Sequence, residues 1–198
     1  MRFSESVMQV ATYYNSMNIP NFLTILRVVA IPFFIVALAY RYTGIALAIF
    51  VGCGITDGLD GFIARTFHQR TQIGAFIDPL ADKLLLTSTF ITLTILDLPN
   101  KIPLWLIVTV ISRDIIIPVG IAAMFMLGTR VQIAPTWIGK FTTFCQVSLI
   151  IIVLFYNYTG EYQAQIILPL CWLTFVVTVI SGLGYIYHGI RLLNKNTE

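Results

Sequence analysis

Charge is scarce in this chain. Asp, Glu, Lys and Arg together make up 11% of its 198 residues, and the formal net charge is only +3. So sparse a charge gives no footing for nucleic acid, whose backbone calls for clustered Lys and Arg; the small positive excess suits at most an anionic lipid surface. Cysteine is rare too. Cys53, Cys145 and Cys171 are odd in number, show no paired spacing and fall inside apolar runs, which leaves them as small buried apolar residues rather than bridges or ligands. No Gly-rich nucleotide loop, nucleophile elbow, Cys/His metal cluster, internal repeat or low-complexity tract is present. The first sixteen residues lack the continuous apolar core of a cleavable signal peptide.

What fills the chain instead is apolar side chain. Hydrophobic residues make up 58% and the mean hydropathy is +0.86, far beyond what a soluble domain of this length requires. Six stretches, at about 22–40, 45–62, 74–96, 103–127, 137–156 and 164–187, reach the roughly 17 to 25 residues that cross a bilayer as helix. Backbone satisfaction in lipid then dictates an all-α integral membrane protein with six transmembrane helices, a single domain over 1–198 with short connections. Ahead of the first span, Phe3, Val7, Val10, Tyr14 and Met17 recur at helical spacing, so 1–17 is expected to be a juxtamembrane amphipathic segment.

With the N-terminus cytoplasmic, the inner side collects Arg2, Arg65, Arg70, Arg130, Lys140, Arg191 and Lys195, and the outer loops keep Arg41 and Lys101. Trp105, Trp137 and the cluster Tyr156, Tyr158 and Tyr162 fit interfacial belts.

Against this apolar background one stretch is out of place. Residues 57–82 read DGLDGFIARTFHQRTQIGAFIDPLAD and hold Asp57, Asp60, Asp78 and Asp82 between two apolar runs. If each half is helical, Asp57 and Asp60 share one face at i, i+3, and Asp78 and Asp82 share another at i, i+4. Four carboxylates gathered at a membrane boundary would repel one another and resist ionisation. Divalent cations remove that penalty, and an oxygen-only donor set points to Mg²⁺ or Mn²⁺ rather than Zn²⁺. Gly58, Gly61 and Gly74 would let a phosphate and its nucleoside approach the backbone, and Arg65 offers a fixed cation for a phosphate oxygen.

The order Asp57, two residues, Asp60-Gly61, two residues, Ala64-Arg65, eight residues, Gly74, three residues, Asp78, three residues, Asp82 resembles the signature of the CDP-alcohol phosphatidyltransferase family at every defined position. That resemblance implies transfer of a phosphatidyl group from CDP-diacylglycerol to an alcohol with release of CMP, assisted by two Mg²⁺ or Mn²⁺ ions. By the same resemblance Asp57, Asp60 and Asp78 are the main metal ligands, and Asp82 is the general base and a ligand of the second ion. Gly61, Ala64, Arg65 and Gly74 shape the CDP pocket. The opening of the first span places Asn21, Thr24 and Arg27 at i, i+3, i+6, and in the family such an opening faces the nucleotide. The alternative for Arg27 is snorkelling to the headgroups or pairing with a structural carboxylate. The resemblance also implies a homodimer, and the bias of basic residues puts the Asp57–Asp82 site at the cytoplasmic face of what is expected to be a bacterial inner membrane.

The rest of the chain bears on the acceptor. Intramembrane charge marks function by default, so Arg113 beside Asp114 is a candidate acceptor contact, the bland alternative being an interhelical salt bridge. Lys140 starts a stripe continued by Thr143 and Gln146 that should look inward, and Lys83 follows Asp82 as counter-charge or acceptor contact. These stretches resemble the branch of phosphatidylglycerophosphate and cardiolipin synthases. Phosphatidylglycerophosphate synthases usually carry Arg-Glu, a later Arg and Lys-x-Lys-Thr, where this chain has Arg113-Asp114, no Arg before Arg130 and Lys140-Phe141-Thr142-Thr143. Fewer cations favour phosphatidylglycerol, a diester, over glycerol 3-phosphate, a monoester, which stands as the alternative acceptor. Of other classes, an ion-coupled transporter would also set carboxylates between spans, but would rarely need four in one short stretch beside three glycines and an Arg. A membrane prenyltransferase would be longer, with two separated Asp-rich motifs.

Overall fold

The computed structural model describes residues 19–66, 72–126 and 137–195, with side chains over 24–58, 80–124, 126 and 137–191. The amphipathic segment expected at 1–17 and the connection carrying His68 and Arg70 lie outside the described residues. Six helices account for nearly all the rest: α1 Ile19–Ala39, α2 Thr43–Thr66, α3 Gln72–Ile95, α4 Leu104–Met126, α5 Trp137–Thr159 and α6 Ala164–Lys195. No strand occurs among the described residues.

Among the described residues three helices are long and apolar enough to cross a membrane, over Leu104–Met124, Trp137–Thr159 and Ala164–Arg191. Thr24–Ala39 and Thr43–Gly58 are shorter apolar helical stretches. The sixth helix outruns its expected end at 187 by eight residues, because His188, Arg191 and Lys195 are compatible with helix where hydropathy alone stops. Pro79 lies eight residues into α3, and the helix runs through it. Pro32, Pro118 and Pro169 are likewise inside helices, as the bilayer tolerates where neighbours satisfy the freed carbonyls.

The chain forms two compact units, Met1–Thr89 and Phe90–Glu198, with α3 running from the first into the second. In the first, α1 packs on α2 through Phe34, Leu38, Ala46 and Phe50, all buried. The Phe34 and Phe50 rings lie 6.2 Å apart. The turn between these helices is tight. Tyr42 N–H donates to Ala37 O at 2.8 Å and Arg41 N–H to Leu38 O at 2.9 Å, with Arg41 at φ 62°. This is a Schellman closure with Arg in the left-handed position that glycine usually takes.

In the second unit α6 is the centre, packing on both α4 and α5. Trp105 of α4 meets Trp172 and Phe175 of α6 at 4.8 and 5.3 Å, so this tryptophan is spent on helix packing as much as on an interface. α5 buries Thr142, Cys145, Gln146, Leu149, Val153 and Asn157, a repeat at three to four residues that marks one helix face. All three cysteines are buried and free, as their apolar setting predicts.

One end of this unit is tied by two buried asparagines. Asn100 N–H donates to Asn157 Oδ1 at 3.0 Å, and Asn157 Nδ2 donates back to Asn100 O at 2.9 Å. Asn100 Nδ2 donates to Glu161 O at 2.8 Å, and its Oδ1 accepts from Gln163 N–H at 3.0 Å. The connection before α4 is thereby pinned to α5 and to the turn at Gly160, where φ is +75°. Removing one member would leave the other's buried backbone groups unpaired, at about 1–3 kcal/mol each. We therefore expect Asn157→Leu to lower stability by roughly 2–4 kcal/mol, read as a clear fall in the thermal unfolding midpoint in detergent. An unchanged midpoint would show that water replaces the clasp without loss.

Candidate active site

The first span should not tolerate Arg27. A guanidinium in an apolar helix is stable only beside anions, and here it is 2% exposed. The anions come from two other helices. Arg27 Nη2 lies 3.1 Å from Asp57 Oδ1 of α2, and Nη1 donates to Asp82 Oδ1 of α3. One planar fork thus holds the first and the last carboxylate of the Asp-rich stretch, although 25 positions separate them in sequence. The alternatives for Arg27 merge: it does pair with carboxylates, and they are those of the candidate site. All three residues belong to the first unit.

Burial is unequal across this triad. Arg27 is covered, while the Asp57 and Asp82 side chains remain 47% and 40% exposed. The cation therefore secures the carboxylates from behind and leaves them accessible. Thr24, one turn before Arg27 on the same face, is buried with it. Thr56, next to Asp57, returns its hydroxyl to Cys53 O at 2.9 Å and Gly52 O at 3.1 Å, a local bond that satisfies the hydroxyl within α2.

The helices run unbroken through the other motif positions: Asp60, Gly61, Ala64 and Arg65 on α2, Gly74 and Asp78 on α3. Helical backbone at both halves gives the i, i+3 and i, i+4 registers the spacing requires. The side chains of Asp60, Arg65, Asp78 and Asn21, and the pocket residues Gly61, Ala64 and Gly74, lie outside the described residues at that level. Among the described residues no three His, Cys, Asp or Glu side chains gather into a metal-holding group; the described pair is Asp57 and Asp82. Lys83 is half-buried beside Asp82.

The candidate acceptor residues sit in the second unit. Arg113 pairs with the adjacent Asp114, Nη1 to Oδ1 at 2.8 Å. Its Nη2 donates to Ser181 Oγ of α6 at 3.0 Å, and its guanidinium carbon stands 6.0 Å from the Tyr185 ring centroid. Arg113 Nε is buried and makes no hydrogen bond among the described residues.

The polar stripe expected on α5 divides. Gln146 is buried, with Nε2 making no hydrogen bond, but Lys140 is exposed and lies over Trp137 at 5.4 Å. The inward face begins instead at Gly139 and Thr142. Thr142 Oγ1 donates to Ile138 O at 2.8 Å and approaches Val177 O of α6 at 3.5 Å. Lys140 starts a stripe one position out of phase with that face, and one position turns a helix by about 100°. Ser181 and Tyr185 were absent from the sequence-derived candidates, yet Thr174, Thr178, Ser181 and Tyr185 recur at i, i+4, i+7, i+11 in an apolar helix, which was the available signal.

Comparison with known proteins follows the same lines. The sequence pattern of the CDP-alcohol phosphatidyltransferase family matches residues 17–180. A "CDP-diacylglycerol--glycerol-3-phosphate 3-phosphatidyltransferase" of Haemophilus influenzae is 36% identical over 176 residues, 85% of this chain and 91% of that protein. A "Probable phosphatidylglycerophosphate synthase" of Mycobacterium tuberculosis is 34% identical over 191 residues, 92% of this chain and 87% of that protein. An Escherichia coli protein with the same name as the Haemophilus one is 39% identical over 135 residues, 65% of this chain and 72% of its own length. With the match running from residue 17 to residue 180, through the Asp57–Asp82 stretch and the helices on both sides of it, the chain belongs to the CDP-alcohol phosphatidyltransferase family.

Proposed function

We propose that this phosphatidyltransferase moves the phosphatidyl group of CDP-diacylglycerol to glycerol 3-phosphate, releasing CMP and forming phosphatidylglycerophosphate. The acceptor preference drawn from missing cations, phosphatidylglycerol, gives way here. Relatives aligned over most of this chain are named for glycerol 3-phosphate or for phosphatidylglycerophosphate, and Arg113, largely covered, still provides a cation for a phosphomonoester. The observation that carries the site is the convergence of Asp57 and Asp82 on Arg27.

A family of this kind implies divalent cations, and the residues fit them. Asp57 and Asp82 are oxygen donors from separate helices, half-exposed and drawn to one point, the donor chemistry of Mg²⁺ or Mn²⁺. Asp57, Asp60, Asp78 and Asp82 would hold the ions. Bound there, the cations would neutralise the donor's pyrophosphate and the charge that develops as it is cleaved.

The remaining work falls to this chain's side chains. Asp82 takes the proton of the acceptor hydroxyl. That oxygen bonds to the β-phosphorus as the bond from phosphorus to the CMP oxygen breaks in line. Arg27, held by Asp57 and Asp82 with Thr24 buried beside it, fixes the base in place from behind, and Asn21 and Arg65 face the nucleotide. Gly61, Ala64 and Gly74 let the nucleotide close on the backbone. Arg113 receives the acceptor's phosphate.

By this reading all six helices cross the bacterial inner membrane as a homodimer, with the N-terminus and the site on the cytoplasmic side, where the soluble nucleotide enters while the acyl chains stay in lipid.

With CDP-diacylglycerol and Mg²⁺ or Mn²⁺ in detergent, we expect CMP release with glycerol 3-phosphate and not with phosphatidylglycerol, and loss of release on chelation. Release with phosphatidylglycerol alone would restore the diester reading. Asp82→Asn should abolish turnover while leaving CDP-diacylglycerol binding largely intact; binding lost as fully as in Asp57→Asn would make Asp82 a ligand first. Arg27→Lys keeps the charge but loses the fork, so it should cut turnover at least roughly tenfold. Wild-type rates in that variant would reduce the bridge to a simple counter-charge.

A further inference from the structure

Adjacent residues on a helix diverge by about 100°, so helix geometry alone does not bring Arg113 and Asp114 together. Their 2.8 Å contact requires the arginine to curl along α4. What faces it there belongs to α6. Ser181 Oγ accepts from Nη2 at 3.0 Å, and Tyr185, one turn on, presents its ring. Gly182 between them is in ordinary contact with the arginine stem, since a Cβ would meet Cγ at 3.6 Å.

Three buried hydroxyls share this face of α6, but they are used differently. Thr174 donates to Leu170 O at 2.8 Å and Thr178 to Thr174 O at 2.6 Å, bonds kept inside the helix. Ser181, 2% exposed, accepts from a charged side chain on another helix. The two contacts leave the guanidinium little freedom: Nη1 is committed to Asp114 and Nη2 to Ser181, while the buried Nε makes no hydrogen bond to the protein. A buried N–H without an acceptor is costly, and a ligand oxygen placed there removes the cost.

We infer that Ser181 is a positioning residue for acceptor binding, setting the rotation of Arg113 so that its unspent Nε edge is presented to an oxygen of the acceptor's phosphate. This rests on the proposed role of Arg113 in holding glycerol 3-phosphate. Without the Ser181 hydroxyl the arginine keeps its charge and its aspartate but loses the second point that fixes its plane. Acceptor affinity should then suffer while chemistry at phosphorus, once the acceptor is bound, does not.

The test is the rate of CMP release by the full chain in detergent, with glycerol 3-phosphate varied at saturating CDP-diacylglycerol. Ser181→Ala should raise KM for glycerol 3-phosphate roughly fivefold to tenfold, with kcat within about twofold and KM for CDP-diacylglycerol unchanged. Ser181→Thr, which restores an oxygen acceptor, should recover most of the loss. Ser181→Cys, close in volume but a weak acceptor, should show the same split and serves if the alanine variant does not fold. An unchanged acceptor KM in Ser181→Ala, with a raised one in Arg113→Ala, overturns the role of Ser181 and spares that of Arg113. An unchanged acceptor KM in Arg113→Ala removes the acceptor reading itself. Equal losses of kcat and of thermal stability in the alanine and threonine variants would leave Ser181 as packing only, and would also overturn the inference.

Discussion

A buried guanidinium between two carboxylates is the constraint on which the first half of this protein depends. Arg27 cannot stay in an apolar helix without anions, and the two it finds, Asp57 and Asp82, come from the helices that follow. Fixing one charge therefore fixes three helices. The packing of Phe34 and Leu38 on Ala46 and Phe50 draws α1 against α2 further along, through many small dispersion contacts. The ion pairs then decide register. A rotation of α2 or α3 by one residue would swing its carboxylate away from Arg27 and leave a covered cation uncompensated, a loss larger than any single apolar contact.

The same arrangement explains how an acidic site can be built at low charge density. Carboxylates that must later receive cations or a proton cannot be buried outright, since desolvation would suppress their charge. Here the cation carries the burial and the carboxylates stay near half-exposed. Arg is suited to this because its planar fork can serve two partners and it keeps its charge in a covered setting, whereas Lys offers a point charge that neutralises more readily.

Much of this was legible before any coordinates. The six apolar runs each became a helix, since length and hydropathy are properties a run carries by itself. Helical backbone likewise runs through the motif positions on α2 and α3. What was not legible depends on partners remote in sequence. Asn100 and Asn157 carry no local signature, and only the fold places each against the other's backbone. On α5 the charge of Lys140 marks a stripe one position out of phase with the buried face, which the less conspicuous Gly139 and Thr142 define. For Arg27 the sequence left two choices, nucleotide contact or ion pairing, and could not show that the paired carboxylates are those of the site. For Arg113 it offered an acceptor contact or an interhelical salt bridge and not the hydrogen bond to Ser181, because a serine in an apolar helix more often bonds its own backbone.

The Arg113–Asp114 pair bears on how an acceptor could be chosen. Counting cations treats recognition as net charge, and by that count an arginine already neutralised by its neighbour contributes little to a phosphomonoester. Inside a low-dielectric bundle, direction matters as much as charge: a guanidinium whose Nη atoms are tied to Asp114 and Ser181 retains an oriented Nε–H whose burial makes it costly to leave unmet. A ligand that places an oxygen there gains that hydrogen bond, and one that cannot leaves the donor orphaned. Discrimination of that kind can exceed what an additional loosely held cation would supply, because failing to pair a buried donor costs more than weakening a screened attraction. Fewer cations and a monoester acceptor are therefore compatible, provided those that remain are held as firmly as Arg113 is.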